Sequence, residues 1–307
     1  MRFFRSASAI ALALTLSSCA GPGNLFGSKK ASDNRPVIAA SFYPVAEIVQ
    51  RVASDDVQLL QLTAPGVEPH DSEISAKQLD ELAKADVVFF LGNGFQPDLE
   101  KAIKNLPASV TSIDLLKSVD LVPVSGFDDT NQLGDDPHVW LDPNNMMEMA
   151  ITVATEISKI ESFTASLSER LNTYISELKA VGDLMDSTFQ KCERRDLVTS
   201  HDAFRYFTIR ANLNPIPING VDPEVEPSAK YLEQLATFTK NGSVTTIFYE
   251  EILPRSFADT LAAAIGAKVE SIDAVETISQ DDLDAGISYI SIMKSNITKI
   301  ANGLGCK

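Results

Sequence analysis

Histidine is scarce in this chain, with three in 307 residues, and so is cysteine, also with three. Tryptophan occurs once. No C-x-x-C pair occurs, which argues against a cysteine-based metal cluster. No H-E-x-x-H occurs either, so the compact helical signature of zinc hydrolases is missing. Positive charge is short as well: 26 Lys and Arg face 42 Asp and Glu, a formal net charge of -16. Nothing here can track phosphates, which excludes a nucleic-acid partner. The same acid surface enriches cations nearby, modestly and in a salt-dependent way. Long hydrophobic runs are also lacking. Ala9 to Leu16 is a clear apolar run but falls short of the ~20 residues a membrane span needs.

That short run has a meaning of its own. Met1-Arg2-Phe3-Phe4-Arg5 places two positive charges before it, the form of a signal peptide over residues 1–19. It ends in Leu16-Ser17-Ser18-Cys19-Ala20-Gly21, which resembles the lipobox of bacterial lipoproteins, with Cys19 as the lipidated residue. An ordinary signal peptide with a chance cysteine is the alternative. Residues 20–35, rich in Gly, Ser and charge, read as a flexible tether. The expected protein is exported, anchored to a membrane by lipid and otherwise soluble, facing a periplasm or the cell exterior. Export leaves Cys192 and Cys306. In an oxidising compartment such a pair suggests a disulfide, with two free thiols as the alternative and metal ligation disfavoured by their spacing.

Beyond the tether, 44% hydrophobic and 22% charged residues are ordinary for a globular protein, and the length suits two domains. Short strand-like runs (Val37–Ala40, Val57–Leu62, Val87–Leu91, Val110–Ile113) alternate with helical spacing. Ser75 and Gln78 have the form of a capping box. Residues 125–137 are acidic and without periodicity, so a loop. Leu167, Leu171, Ile175, Leu178, Val181, Met185 and Phe189 recur at three and four, one face of a helix of six or seven turns. Strand–helix alternation then resumes from Asp196, and Pro217 restricts the strand around Ile216–Ile218 to a sheet edge. The fold class expected is α/β: two lobes with mainly parallel sheets joined by one long rigid linking helix. The boundaries read as 36–160 for the first lobe, 161–191 for the helix and 192–307 for the second lobe.

All three histidines fall in loops. His201 follows the strand around Val198, His70 follows the strand Val57–Leu62 through Thr63–Pro69, and His138 lies in the segment between lobes. In open α/β sheets ligands bind beyond the carboxyl ends of the strands. Asp273, Glu250 and Glu251 also follow strand ends. Three imidazoles and one carboxylate in a cleft make a four-coordinate site of a kind zinc accepts. A solvated or cap-forming role for each residue is the blander alternative, because the candidates lie far apart in sequence.

Three blocks carry a resemblance: P-G-V-E-P-H at 65–70 with Asn93-Gly94, D-P-H-V-W-L-D-P at 136–143, and T-S-H-D-A-F-R-Y-F at 199–207. With Glu226-Pro227-Ser228 and Ile272-Asp273, they resemble the zinc and manganese solute-binding lipoproteins of bacterial ABC importers, from about Pro36 to the C-terminus. The resemblance implies metal held between two lobes by His70, His138, His201 and Asp273. In the family that aspartate is commonly followed by Pro-Leu, whereas Ala274-Val275 follows here, so Glu250 is the reserve candidate. Manganese-type members usually carry glutamate where this chain has His201, so zinc is the expected cargo and manganese the alternative. The expected function is extracytoplasmic capture of a divalent metal and its delivery, by a monomer, to a membrane permease and its ATPase. No enzymatic activity is expected. A metallohydrolase using Glu250 or Glu251 as base and a surface adhesin with structural metal are the rival readings. Affinity for metal should fall below about pH 6.5, where free imidazole takes a proton.

Overall fold

The computed structural model describes residues 34–124, 134–160, 165–223 and 225–307. The signal peptide, Cys19 and the tether up to residue 33 lie outside these described residues. So do residues 125–133 of the acidic loop, including Asp128 and Asp129.

The chain folds as two α/β lobes. In the first, β1 (Val37–Ala40), α1 (Tyr43–Ala53), β2 (Gln58–Gln61), α2 (Ala76–Leu82), β3 (Val87–Phe90), α3 (Pro97–Ile103) and β4 (Thr111–Asp114) follow one another. The strands form an all-parallel sheet ordered β2-β1-β3-β4. Ser75 and Gln78 close the predicted capping box at the start of α2. The long helical region beyond the acidic loop resolves into two helices, α4 (Pro143–Ile157) and α5 (Ala165–Thr188).

The second lobe runs β5 (Asp196–Thr199), α6 (Arg205–Ala211), β6 (Asn214–Pro217), α7 (Ala229–Asn241), β7 (Thr246–Glu250), α8 (Ser256–Ile265), β8 (Lys268–Ile272), α9 (Gln280–Asp284) and α10 (Tyr289–Leu304). Its parallel sheet is ordered β6-β5-β7-β8, the same winding as the first. The proline-bearing β6 is an edge strand, as its missing N–H requires.

Each sheet reverses its strand order between its first and third strands, and there the carboxyl ends of the strands open a crevice. In the first lobe Ser41 and Phe42 follow β1 at that point, and in the second Ser200 and His201 follow β5.

The lobes share one apolar core. It runs from Phe42 and Trp140 through Tyr174, Leu178, Val181 and Met185 of α5 to Phe207, Phe248 and Met293. Those four residues of α5 are fully buried and recur at four, three and four, so one face of a rod about 36 Å long is committed to packing. Tyr174 joins that face although its hydroxyl sets it apart from the aliphatic repeat. Arg210 reaches from α6 to Asp142 and to Asp186 of α5 at 3.0 and 2.9 Å. A Cβ on Gly182 would stand 2.6 Å from its guanidinium, so the glycine admits the side chain. Cys192 and Cys306 are disulfide-bonded, which pins the end of α10 beside the entry to β5.

Candidate metal centre

His70 stands in the loop after β2. Glu68 accepts the backbone N–H groups of His70 and Asp71 at 3.1 and 3.2 Å. The buried Gln96 donates to Thr63 Oγ1 at 3.0 Å, and the Phe95 ring meets the imidazole edge-on at 4.7 Å between centroids.

His138 is placed by its own motif. The Asp136 carboxylate accepts the His138 backbone N–H at 2.9 Å and lies 2.7 Å from Nδ1. One turn of 3-10 helix follows, and then Asp142 caps α4 by accepting from the Asn144 N–H. Trp140, inside that turn, donates Nε1–H to the Ala274 carbonyl at 2.7 Å, while Tyr289 Oη donates to the Trp140 carbonyl at 2.6 Å. The single tryptophan thus fastens the His138 segment to the loop after β8.

His201 sits at the end of β5. Glu250, the last residue of the neighbouring β7, accepts from Ser200 Oγ at 2.6 Å and lies 2.8 Å from His201 Nδ1.

The three Nε2 atoms converge with a carboxylate oxygen that sequence reasoning missed. Glu276 Oε1 lies 3.2 Å from His138 Nε2, 3.2 Å from His201 Nε2 and 3.7 Å from His70 Nε2. His70 and His138 Nε2 are 3.3 Å apart. The four ligand atoms lie within 4.8 Å of one another, and all four residues are buried.

Asp273 and Glu250 stand elsewhere. The Asp273 carboxylate turns back to accept the Val275 N–H at 2.7 Å, while Asn296 grips the Asp273 backbone at both its N–H and its carbonyl. Val275 is thereby held at φ +60°, a left-handed conformation that β-branched residues avoid. This tight turn aims Glu276 into the cleft four residues beyond the strand end. Asp273 is therefore turn-forming in this geometry, and Glu250 lies behind His201 rather than beside it. The only sequence signal for Glu276 is a carboxylate set among apolar residues in the run Ala274 to Ile278. Glu251, the other rival base, is exposed.

The electrostatics follow from the crowding. Burial opposes a charge on His138, but the Asp136 and Glu276 carboxylates outweigh it and push its pKa up to about 9. Burial likewise opposes a charge on His201, and Glu250 and Glu276 override it, so its pKa stands well above the usual value. Burial would raise Glu276, yet the surrounding imidazoles, His201 foremost, hold it well below the ordinary carboxylate range. Three imidazoles around one carboxylate thus form a nest that takes either protons or a cation.

Two lobes on a shared core, with a buried group of three imidazoles and a carboxylate between them that can hold a metal ion, are the architecture of a two-lobed solute-binding protein. Residues 38–303 match the family described as the zinc-uptake complex component A, periplasmic. The chain belongs to that family: it is a binding component of zinc uptake, periplasmic or extracellular, and not an enzyme. The chain is 29% identical over 307 residues to the high-affinity zinc uptake system protein ZnuA of Bacillus subtilis (strain 168), with 96% of each chain covered. Over 284 residues it is 28% identical to the zinc-binding lipoprotein AdcA of Streptococcus pneumoniae serotype 4, covering 88% of this chain but 56% of that one. The crystal structure of the Zn(II)-bound ZnuA-like domain of Streptococcus pneumoniae AdcA superposes with a TM-score of 0.75 at 26% identity, over 88% of this chain and 99% of that domain. Among the described residues, no helix is long and apolar enough to cross a membrane.

Proposed function

We propose that the protein captures Zn²⁺ with His70, His138, His201 and Glu276 and delivers it to the permease of an ABC importer. One observation supports this above the rest. Four ligands at the ~2.0–2.1 Å bond lengths of tetrahedral zinc stand about 3.3 Å apart. The three Glu276–imidazole separations and the His70–His138 separation run from 3.2 to 3.7 Å, and all four atoms lie within 4.8 Å of one another. Three imidazoles favour zinc over manganese, which prefers oxygen donors. A metallohydrolase would keep one position open for water, and four protein ligands leave none. Lipidation at Cys19 would anchor the protein as a monomer beside its permease.

The test is metal content after stripping and competitive reloading of residues 20–307 with Zn²⁺ and Mn²⁺. The expected result is about one zinc per chain, retained against manganese. Glu276→Ala should weaken zinc binding by more than tenfold. Asp273→Ala should weaken it less, because it disturbs the turn and removes no donor. Preference for manganese, or wild-type affinity in Glu276→Ala, would overturn this ligand set.

A further inference from the structure

The four ligands are not held alike. Behind His138 stands Asp136, 0% exposed, and behind His201 stands Glu250, 1% exposed. Each places one carboxylate oxygen against Nδ1, at 2.7 and 2.8 Å. An Nδ1–H donated to a carboxylate settles the tautomer, fixes the ring plane and leaves Nε2 facing the metal. Each carboxylate is secured in turn. Asp136 Oδ1 also takes the His138 backbone N–H, and Glu250 Oε1 takes the Ser200 hydroxyl. The second oxygens, Asp136 Oδ2 and Glu250 Oε2, are buried without a hydrogen-bond partner. Burying a carboxylate so incompletely satisfied is costly, and the imidazole facing each is the group that offsets the cost.

His70 differs. Among the described residues no hydrogen bond or ion pair joins its Nδ1 to a carboxylate: Glu68 accepts its backbone N–H at 3.1 Å, and the ring itself packs edge-to-face with Phe95. It is the most exposed of the four ligands, at 8% against 0% for His138 and His201 and 3% for Glu276. A cavity of about 370 Å³, lined by His70, Asn93, Phe95, Pro137 and Val221 among others, reaches His70 and none of the other three.

We propose that Asp136 and Glu250 are positioning residues that hold His138 and His201 as a fixed two-imidazole platform, and that metal is exchanged past the unbraced His70. The proposal rests on the zinc-binding reading above, and it divides the site into a rigid part and a gate. The carboxylate braces act through the rings, so their loss changes ring behaviour one histidine at a time.

The experiment is nitrogen–proton correlation NMR of the histidine rings, in metal-free and zinc-loaded protein, for wild type, Asp136→Ala, Glu250→Ala and Glu250→Gln. Wild type should show slowly exchanging Nδ1–H protons for His138 and His201 only, with the His70 ring broadened by exchange in the metal-free state. Glu250→Ala should lose the His201 signal and keep that of His138, and Asp136→Ala the reverse. Zinc affinity should fall about 10- to 100-fold in each alanine variant, with faster release to a competing chelator. Glu250→Gln, which keeps an acceptor, should recover most of the loss. An unchanged His201 signal in Glu250→Ala, or a His70 ring as ordered as the other two, would overturn the proposal. If wild type bound no zinc, the functional reading would fail, while the metal-free ring spectra would still decide the bracing.

Discussion

At the scale of single residues, the site is a contest between protons and metal. His138 is pushed up to about 9 by its carboxylate neighbours, above the ~6.5 of a free imidazole. Metal binds the neutral ring, so the proton competes over the whole range below about 9. The expectation from free histidine, a fall in affinity only below about pH 6.5, is corrected upward by these neighbours. Zinc affinity should rise steadily from pH 6.5 to 8.5, with protons released on binding. Calorimetry in buffers of different ionisation enthalpy reads both, and a flat affinity over that range would refute the coupling. The sign for stability follows from the same shift. Because the folded pKa is raised, the stabilisation from this group is full below about 6.5 and lost as pH rises through about 9. The metal-free protein should therefore melt lower at pH 9 than at 6.5 on account of His138. Asp273 is decided at the same scale. A carboxylate after a strand end is readable in sequence, but whether it ligates or shapes a turn depends on a backbone angle two residues later.

At the scale of elements, patterning is a good guide wherever one face decides the outcome. The spacing of Leu178, Val181 and Met185 identifies the linking helix, because a helix against a core repeats its apolar face every three or four residues. Ser75 and Gln78 mark the start of α2, since capping is local chemistry. Close approaches between elements are not readable in this way. Gly303 of α10 lies so near β7 that an added Cβ would stand 2.5 Å from Phe248 and 3.1 Å from Thr246. Elsewhere in a helix, alanine for glycine stabilises by about 0.5–1 kcal/mol. Here overpacking against a fully buried ring should dominate, and Gly303→Ala should destabilise by about 1–3 kcal/mol. Urea denaturation checks the sign, and a stabilised variant would show that α10 shifts without penalty.

At the scale of the whole molecule, the two lobes are less separate than their sheets suggest. One core passes from Phe42 through α5 to Met293, and Arg210 joins α6 to Asp142 and Asp186. A wide hinge opening would break that core, so metal release is expected to rely on local loop movement. The disulfide spans 114 residues and ties the chain's end to the second lobe. Its reduction should cost about 2–5 kcal/mol. Thermal melts with and without reductant measure this, and equal melting temperatures would show that the packing of α10 alone retains the terminus.

What the sequence determined by itself was whatever short-range physics controls: strand–helix alternation, the long amphipathic helix, an edge strand restricted by proline, and three rare histidines placed in loops. The motifs around those histidines also carry the family's signature, because ligand loops are contiguous stretches of chain. The choice among carboxylates was decided only in three dimensions. Asp273, Glu250 and Glu276 are all acids near strand ends, and nothing local distinguishes them. The left-handed turn at Val275, the grip of Asn296 and the pairing of β5 with β7 assign one to the cleft, one to the turn and one to the back of His201. Such roles depend on contacts between residues 20 to more than 200 positions apart, and the face of the imidazole that each carboxylate meets, Nε2 for Glu276 and Nδ1 for Glu250, separates the group in the cleft from its support.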